Sequence, residues 1–516
     1  MEIASQLFQL VSKKNKKIIS HFFAPLLKND SDLLSTLRAN TILAPKQHYF
    51  DFTASGLSYK AINKRIESIL PYYANTHSHI SSHAALMSAL YEKAKEHIIG
   101  ALGLNDDFVL IAGGSGASFG IKKFQEIMGI YIPPQTLLHL QYLFEHLESK
   151  DTTLLSKNKI SKNRVDSKIT LDSMAYQYSR AQSHQAQESF SSTLPLLNEL
   201  KIYDLRTNAL KLPHIILSGF EHHSNEISYK EGCCHIHKIA FNNQGLPDIN
   251  DLEYILQNLK GKNIIASLSA ASNVTGILAP IESCAHLLRA YGATIALDMA
   301  SASPYMNMPC TYFDATFLAP HKLLGGVGAC GILAIRKSLL HNDLPPSFSG
   351  GGVIEYANDK IHSFIDDVAM REEAGTPHIL GLLYAALAYQ LRNEVGLDFI
   401  KKREKILTEV FLHELSKIPA VSIYGDLSLE RLGIVSFNIG SISPLDLCAL
   451  LSRKYGIHTR AGCSCAGPYG HYLMQDCTSS KKPMWLRVSI HYTHSVSDIE
   501  YLISSIKDCV KTLRNG

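Results

Sequence analysis

The chain has 516 residues, too many for one compact core, and its apolar fraction of 46% and charged fraction of 19% are those of a globular protein. A formal net charge of only +4 gives no electrostatic reason to expect a nucleic acid or an anionic membrane as partner. No apolar run approaches the roughly 20 residues that span a bilayer, and the start lacks the basic-then-apolar order of a secretory signal. A cytoplasmic protein is therefore expected. Ten cysteines in this length are too sparse for a disulfide framework and predict mostly free thiols.

In chain order, residues 1–48 read as a helical lead-in. From Asp107 to Lys337 short apolar runs alternate with helical patterns. Phe108–Ala112, His214–Ser218, Ile264–Ser269, Thr294–Leu297, Ala315–Leu318 and Ile332–Ile335 are apolar on consecutive positions, which marks strands covered on both faces, as in a mostly parallel sheet. A helix is predicted over about 281–290, stopped by Gly292. Residues 145–200 are rich in Ser, Lys, Gln and Asn and read as a polar insertion, partly helical and flexible. These segments predict a large domain over 49–345. Residues 346–516 read as a smaller C-terminal α+β domain with long helices over 377–416, strands Val421–Tyr424 and Gly433–Ile439, and a final helix starting near Ser495. That helix has Ile499, Leu502, Ile503, Ile506, Val510 and Leu513 on one face, and Ser495 and Asp498 have capping-box spacing.

Five segments carry chemistry-bearing residues. Ala112–Ser118 is a strand running into a Gly/Ser turn and a helix; such helix N-termini bind phosphate, although a tight turn needs glycine in any case. Asp298 ends a predicted strand, where a carboxylate can hold a pyridine nitrogen protonated or simply make a turn. Lys322, at the next strand end beside Gly325–Gly328, suits a Schiff base, and a cationic neighbour would lower its pKa; the bland alternative is a surface lysine. Glu221-His222-His223-Ser224-Asn225 offers an imidazole that can stack on a flat ring or shuttle protons, or a histidine pair for metal; no companion residues at zinc spacing accompany it, so no metal is expected. Arg460-Ala461-Gly462-Cys463-Ser464-Cys465 offers a thiol nucleophile near an arginine, a redox pair, or a structural thiol. Arg460 and Arg487 are candidates for a grip on an amino-acid carboxylate.

Taken together, the order and spacing of these segments resemble the class V aminotransferase family, and within it the group II cysteine desulfurases and selenocysteine lyases. The resemblance runs from about Tyr49 to the C-terminus outside 145–200. It rests also on Ser272-Asn273-Val274-Thr275-Gly276, Gly350–Gly352, Glu373-Ala374-Gly375-Thr376-Pro377 and the loop through Cys465-Ala466-Gly467-Pro468.

The resemblance implies an α/β protein of pyridoxal-phosphate fold type I. Its large domain would hold a mostly parallel seven-stranded sheet, joined to the smaller α+β domain. It implies pyridoxal 5'-phosphate as cofactor, with Ala117 and Ser118 at the phosphate, His222 stacked on the ring, Asn273 at the ring hydroxyl, Asp298 at the ring nitrogen, His321 on the phosphate side and Lys322 as the Schiff-base lysine. Arg460 and Arg487 would hold the substrate carboxylate and Cys465 would be the nucleophile.

The implied reaction is removal of sulfur from L-cysteine or a close analogue, leaving alanine and a persulfide for an acceptor protein, in a homodimer. Selenocysteine lyase chemistry, or a transamination, elimination or racemisation that does not use Cys465, is the alternative. Three positions depart from the family pattern: Ser301 stands where glutamine is usual, Ala319 where serine is usual, and Cys463 adds a second thiol.

Overall fold

The computed structural model describes residues 12–27, 32–76, 80–136, 138–139, 203–204, 209–210, 212–475 and 482–515. The polar stretch 145–200 lies outside the described residues. The chain forms two compact units, Met1–Tyr131 with His214–Gly516, and Ile132–Pro213. Of the second, the described strands are Tyr203–Asp204 and Ala209–Leu210, paired antiparallel.

The first unit is built on seven strands: β1 Phe108–Gly113, β2 His214–Leu217, β3 His235–Lys238, β4 Ile264–Ser269, β5 Thr294–Asp298, β6 Ala315–Leu318 and β7 Gly331–Arg336. Their order across the sheet is β1-β7-β6-β5-β4-β2-β3. β7 runs antiparallel to both its neighbours, and every other pairing is parallel. Because side chains alternate faces along a strand, each continuous apolar run feeds two cores. Leu110 and Ala112 of β1 pack on one side with helices Ser82–Leu102 and Ile379–Val395, while Ile111 packs on the other with Ile121 and Phe124 of helix Gly116–Ile127. This double coverage is why these strands are apolar without alternation. β3 is an edge strand with exposed His235 and Lys238, and its polar character hid it from the sequence reading.

A second sheet follows, β8 Val421–Ile423, β9 Ile434–Ile439, β10 Arg460–Gly462 and β11 Trp485–Ser489, in the order β8-β9-β11-β10. All its pairings are antiparallel. Helices Leu397–Ser416, Pro444–Tyr455 and Val496–Asn515 bury their apolar faces against it. The last helix begins as its sequence predicts: Asp498 N–H donates to Ser495 Oγ at 3.2 Å and Ser495 N–H to Asp498 Oδ2 at 2.7 Å, the two halves of a capping box.

The segment His48–Asp51 ties this sheet to the lead-in. His48 and Tyr49 pair parallel with Ile457 and His458. Phe50 N–H donates to His458 O and Phe50 O accepts from Ser489 N–H, both at 2.8 Å. Asp51 is thereby delivered beside β10 and β11.

Candidate active site

A cavity of about 400 Å³ opens where the parallel strands end, within the range of small-molecule sites (roughly 300–1,000 Å³) and at the carboxyl ends of the strands where α/β proteins take ligands. It gathers residues from five strand ends: Gly116, Ala117 and Ser118 after β1, His222 after β2, Asn273 after β4, Asp298 and Ser301 after β5, and His321 and Lys322 after β6. Arg460, Cys465 and Arg487 reach it from the second sheet. Every site residue predicted from the sequence therefore lines one cavity.

At one wall the helix Gly116–Ile127 begins with an N-cap, Ser115, whose side chain makes no capping bond, leaving its first amides for an anion. Gly116 must be glycine: its φ is 62°, and a Cβ there would meet the His321 ring at 2.8 Å. Ser118 Oγ lies 2.7 Å from Ser224 Oγ.

Asp298 is buried at the end of β5, with Oδ1 accepting from Ala300 N–H at 2.8 Å. Burial raises its pKa, against the pull of that hydrogen bond and of Lys322. Lys322 sits half-buried and makes no side-chain hydrogen bond or ion pair among the described residues. Its pKa is lowered to about 8, first by desolvation, against the attraction of Asp298, with the repulsion of Arg487 and Arg460 adding to the fall. A cationic neighbour alone is the cause the sequence suggests; in the structure the larger cause is burial.

His222 caps helix His223–Lys230 and accepts from Ser224 N–H on Nδ1 at 3.1 Å. Burial, then Lys322, lowers its pKa to about 4, so the ring is neutral and carries its proton on Nε2. His223 turns elsewhere. Its Nε2 accepts from Gly467 N–H at 2.8 Å and its N–H donates to Cys465 O at 2.9 Å. The two rings are 6.4 Å apart, and no group of three metal-ligating side chains with suitable geometry occurs among the described residues.

Glu221, which precedes the pair, explains its placement. Its buried carboxylate accepts from Ser218 Oγ at 2.5 Å, Ser269 N–H at 2.9 Å, Ser269 Oγ at 2.5 Å and Asn225 Nδ2 at 2.7 Å, stitching the ends of β2 and β4. Glu221→Ala strands these donors, each worth about 1–3 kcal/mol when left unpaired. It should lower the unfolding free energy by about 3 kcal/mol in denaturant titration.

The arginines hold a feature the sequence reading missed. Arg460 and Arg487 are directly opposite each other on β10 and β11, a like-charge pair that by itself repels. Asp51 resolves it. Arg460 Nη2 lies 2.9 Å from Asp51 Oδ2, and Arg487 Nη2 donates to Asp51 Oδ1 at 3.1 Å. Arg487 Nη1 also donates to Asn273 O at 3.0 Å, while its buried Nε has no hydrogen-bond partner among the described residues. Arg487 is nearly inaccessible and Arg460 about half exposed (side chains 4% and 48%). No local pattern around Asp51 signals this pairing; it arises from the register of His48–Tyr49 on Ile457–His458.

Cys465 is exposed and lines the cavity. It and Ser464 have φ of 55° and 52°, left-handed values that cost non-glycine residues about 1–3 kcal/mol each. The turn is pinned from outside: Asn273 Nδ2 donates to Ser464 O at 2.7 Å and Trp485 Nε1 to Ser464 Oγ at 3.1 Å. Asn273 thus braces the thiol loop while lining the cavity.

This set fits pyridoxal phosphate. Uncapped helix amides suit its phosphate, a buried carboxylate suits its ring nitrogen, and an unpaired amine of lowered pKa suits its aldehyde. Since only the neutral amine adds to a carbonyl, attachment of the cofactor to the apoprotein should speed up with pH, about tenfold per unit below pH 8, and level off above it. Stopped-flow absorbance of the bound chromophore checks this.

Comparison with known proteins agrees with the geometry. A family model described as aminotransferase class-V matches residues 198–502, more than half of the chain. A probable cysteine desulfurase of Halalkalibacterium halodurans is 28% identical over 308 residues, covering 58% of this chain and 72% of that protein. A probable cysteine desulfurase of Staphylococcus aureus is 29% identical over 299 residues, covering 57% and 69%. Among solved structures, an apo cysteine desulfurase from Thermococcus onnurineus superposes with a TM-score of 0.69 at 20% identity, over 94% of this chain and 100% of that one. The cysteine desulfurase CsdA from Escherichia coli superposes with a TM-score of 0.66 at 18% identity, covering 94% of this chain and 100% of that chain; at such identities the likeness speaks for the fold. The chain therefore belongs to the class V aminotransferase family, whose enzymes depend on pyridoxal phosphate.

Proposed function

We propose that this protein removes sulfur from L-cysteine, releasing alanine and leaving a persulfide on Cys465. The observation that carries the reading is that an exposed thiol on a pinned, left-handed turn lines the same cavity as an unpaired lysine of lowered pKa.

In this reading the helix amides at Ala117 and Ser118, with His321, would hold the cofactor's phosphate. Asp298 would face its ring nitrogen and His222 its ring, with Asn273 and Ser301 completing the wall. Lys322 is the attachment point. Bound there, pyridoxal phosphate supplies an electron sink for the pair left at a substrate carbon when its proton departs.

The rest is done by side chains. Arg487, with Arg460, takes the substrate carboxylate in a bidentate grip. Both arginines already share Asp51, so substrate competes with an internal carboxylate for the more exposed Arg460, while Arg487 stays oriented by Asp51 and Asn273. Lys322, once free, takes the Cα proton. The Cys465 thiolate attacks the substrate sulfur. The carbon–sulfur bond breaks with its electron pair left on Cβ; a proton taken up there and the proton that Lys322 returns to Cα complete alanine. The persulfide then passes to an acceptor protein or thiol.

The test is incubation of holoenzyme with L-cysteine and a thiol, counting alanine. Stoichiometric turnover to alanine is expected. Pyruvate or a racemised amino acid in its place would assign another reaction of the family.

A further inference from the structure

Cys463 has no part in that mechanism, yet its position relative to Cys465 is constrained. The four residues Cys463-Ser464-Cys465-Ala466 form a turn closed by Ala466 N–H donating to Cys463 O at 3.1 Å. Both central residues are left-handed. Two Cα steps of about 3.8 Å, folded back through Ser464, bring Cys463 and Cys465 into the roughly 4.4–6.8 Å range at which disulfides close. The turn is fixed on both sides of the pair. Trp485 and Asn273 hold Ser464, and His223 holds the Cys465 carbonyl and the Gly467 amide. These bonds hold the backbone of both cysteines in the turn.

Their surroundings divide the labour. Cys465 opens on the cavity, whereas Cys463 is 9% exposed and sits among Phe220, Val274, Tyr469 and Trp485. Cys463 is thus shielded from bulk reagents, two residues from Cys465 on the same closed turn. Both are free thiols.

We infer that Cys463 is a resolving thiol that, when no acceptor takes the persulfide, ends the sulfur transfer inside the protein and releases inorganic sulfide. This rests on Cys465 being the sulfur acceptor. The Cys463 thiolate attacks Cys465 Sγ, a Cys463–Cys465 bond forms, and the bond from Cys465 Sγ to the outer sulfur breaks. The outer sulfur leaves as hydrosulfide, taking the proton that Cys463 gave up. The disulfide is two electrons more oxidised than the starting dithiol, and a small dithiol or dithiol protein restores it by exchange. When no acceptor takes the persulfide, the protein then delivers sulfide and draws on a dithiol reductant.

The experiment charges holoenzyme with one equivalent of L-cysteine per site in the absence of other thiols, then alkylates and maps the peptide bearing Cys463 and Cys465 by mass spectrometry. Sulfide and alanine are counted in the same sample. The expected wild-type peptide is lighter by two hydrogens, unalkylated at both cysteines, with sulfide released in step with alanine. In Cys463→Ala, which suits the apolar pocket, sulfide per alanine should fall about tenfold and the extra sulfur should stay on Cys465. A wild-type peptide that keeps the extra sulfur on Cys465 beside an alkylated Cys463 overturns the inference, as does an extra sulfur found on Cys463.

A second arm loads the wild-type and Cys463→Ala holoenzymes with inorganic polysulfide, which charges an exposed thiol without desulfuration. If no alanine forms but polysulfide still yields the Cys463–Cys465 bridge in the wild type, with about one sulfide per site beyond what loading releases from Cys463→Ala, the desulfurase reading fails and the resolving role stands. A stable persulfide on wild-type Cys465 after polysulfide overturns the resolving role by itself.

Discussion

Replacing Cys465 with alanine should reduce alanine formation from L-cysteine by at least about 10³-fold, the scale on which an enzyme loses activity with its nucleophile. Exchange of the substrate Cα proton for deuterium should persist within a few-fold. The two readouts separate because different parts of the cavity govern them. Lys322 lies after β6 on the large sheet, whereas Cys465 is carried by a turn beyond β10 on the second sheet. Removing the thiol leaves the lysine, Asp298 and the helix end in place, so substrate still binds and loses its proton. Chromatography of alanine beside NMR of the substrate α-proton measures both. Undiminished alanine from Cys465→Ala would make the thiol a bystander and favour a reaction without it.

Lys322→Ala should remove both signals together. Its amine, with a pKa of about 8, is substantially neutral in mildly alkaline solution, and a positioned base typically contributes about 10²–10⁴-fold. Arginine should not rescue it, because a guanidinium does not surrender its proton and cannot add to an aldehyde. An exogenous primary amine small enough for the cavity should restore part of the α-proton exchange in Lys322→Ala, read by the same NMR assay. Rescue by arginine would mean that charge, not proton transfer, is what the position supplies.

The strands of the large sheet were legible because burial on both faces writes itself as an unbroken apolar run: Ile264–Ser269 and Ala315–Leu318 begin and end where the sequence places them. Helix Ile281–Ala290 was legible from its 3.6-residue period. Edge strand β3 was not, because His235–Lys238 faces solvent and carries no such run.

The site divides in the same way. Residues at strand ends, such as Asp298 and Lys322, follow from knowing where the strands stop. Asp51 does not. Its role as the counter-ion between Arg460 and Arg487 depends on the pairing of two-residue strands some 400 positions apart in the chain, and no local pattern encodes such a contact. Nor could spacing alone reveal that Ser464 and Cys465 adopt left-handed conformations, since the bonds that enforce them come from Trp485 and Asn273.

The central claim is that Lys322 carries the cofactor, and reduction with borohydride tests it most directly. Holoenzyme treated with the hydride, digested and sequenced by mass spectrometry should show the phosphopyridoxyl mass on the peptide containing Lys322 and on no other lysine. The same mass on a different lysine, or a protein that stays unmodified when saturated with pyridoxal phosphate, would contradict the account.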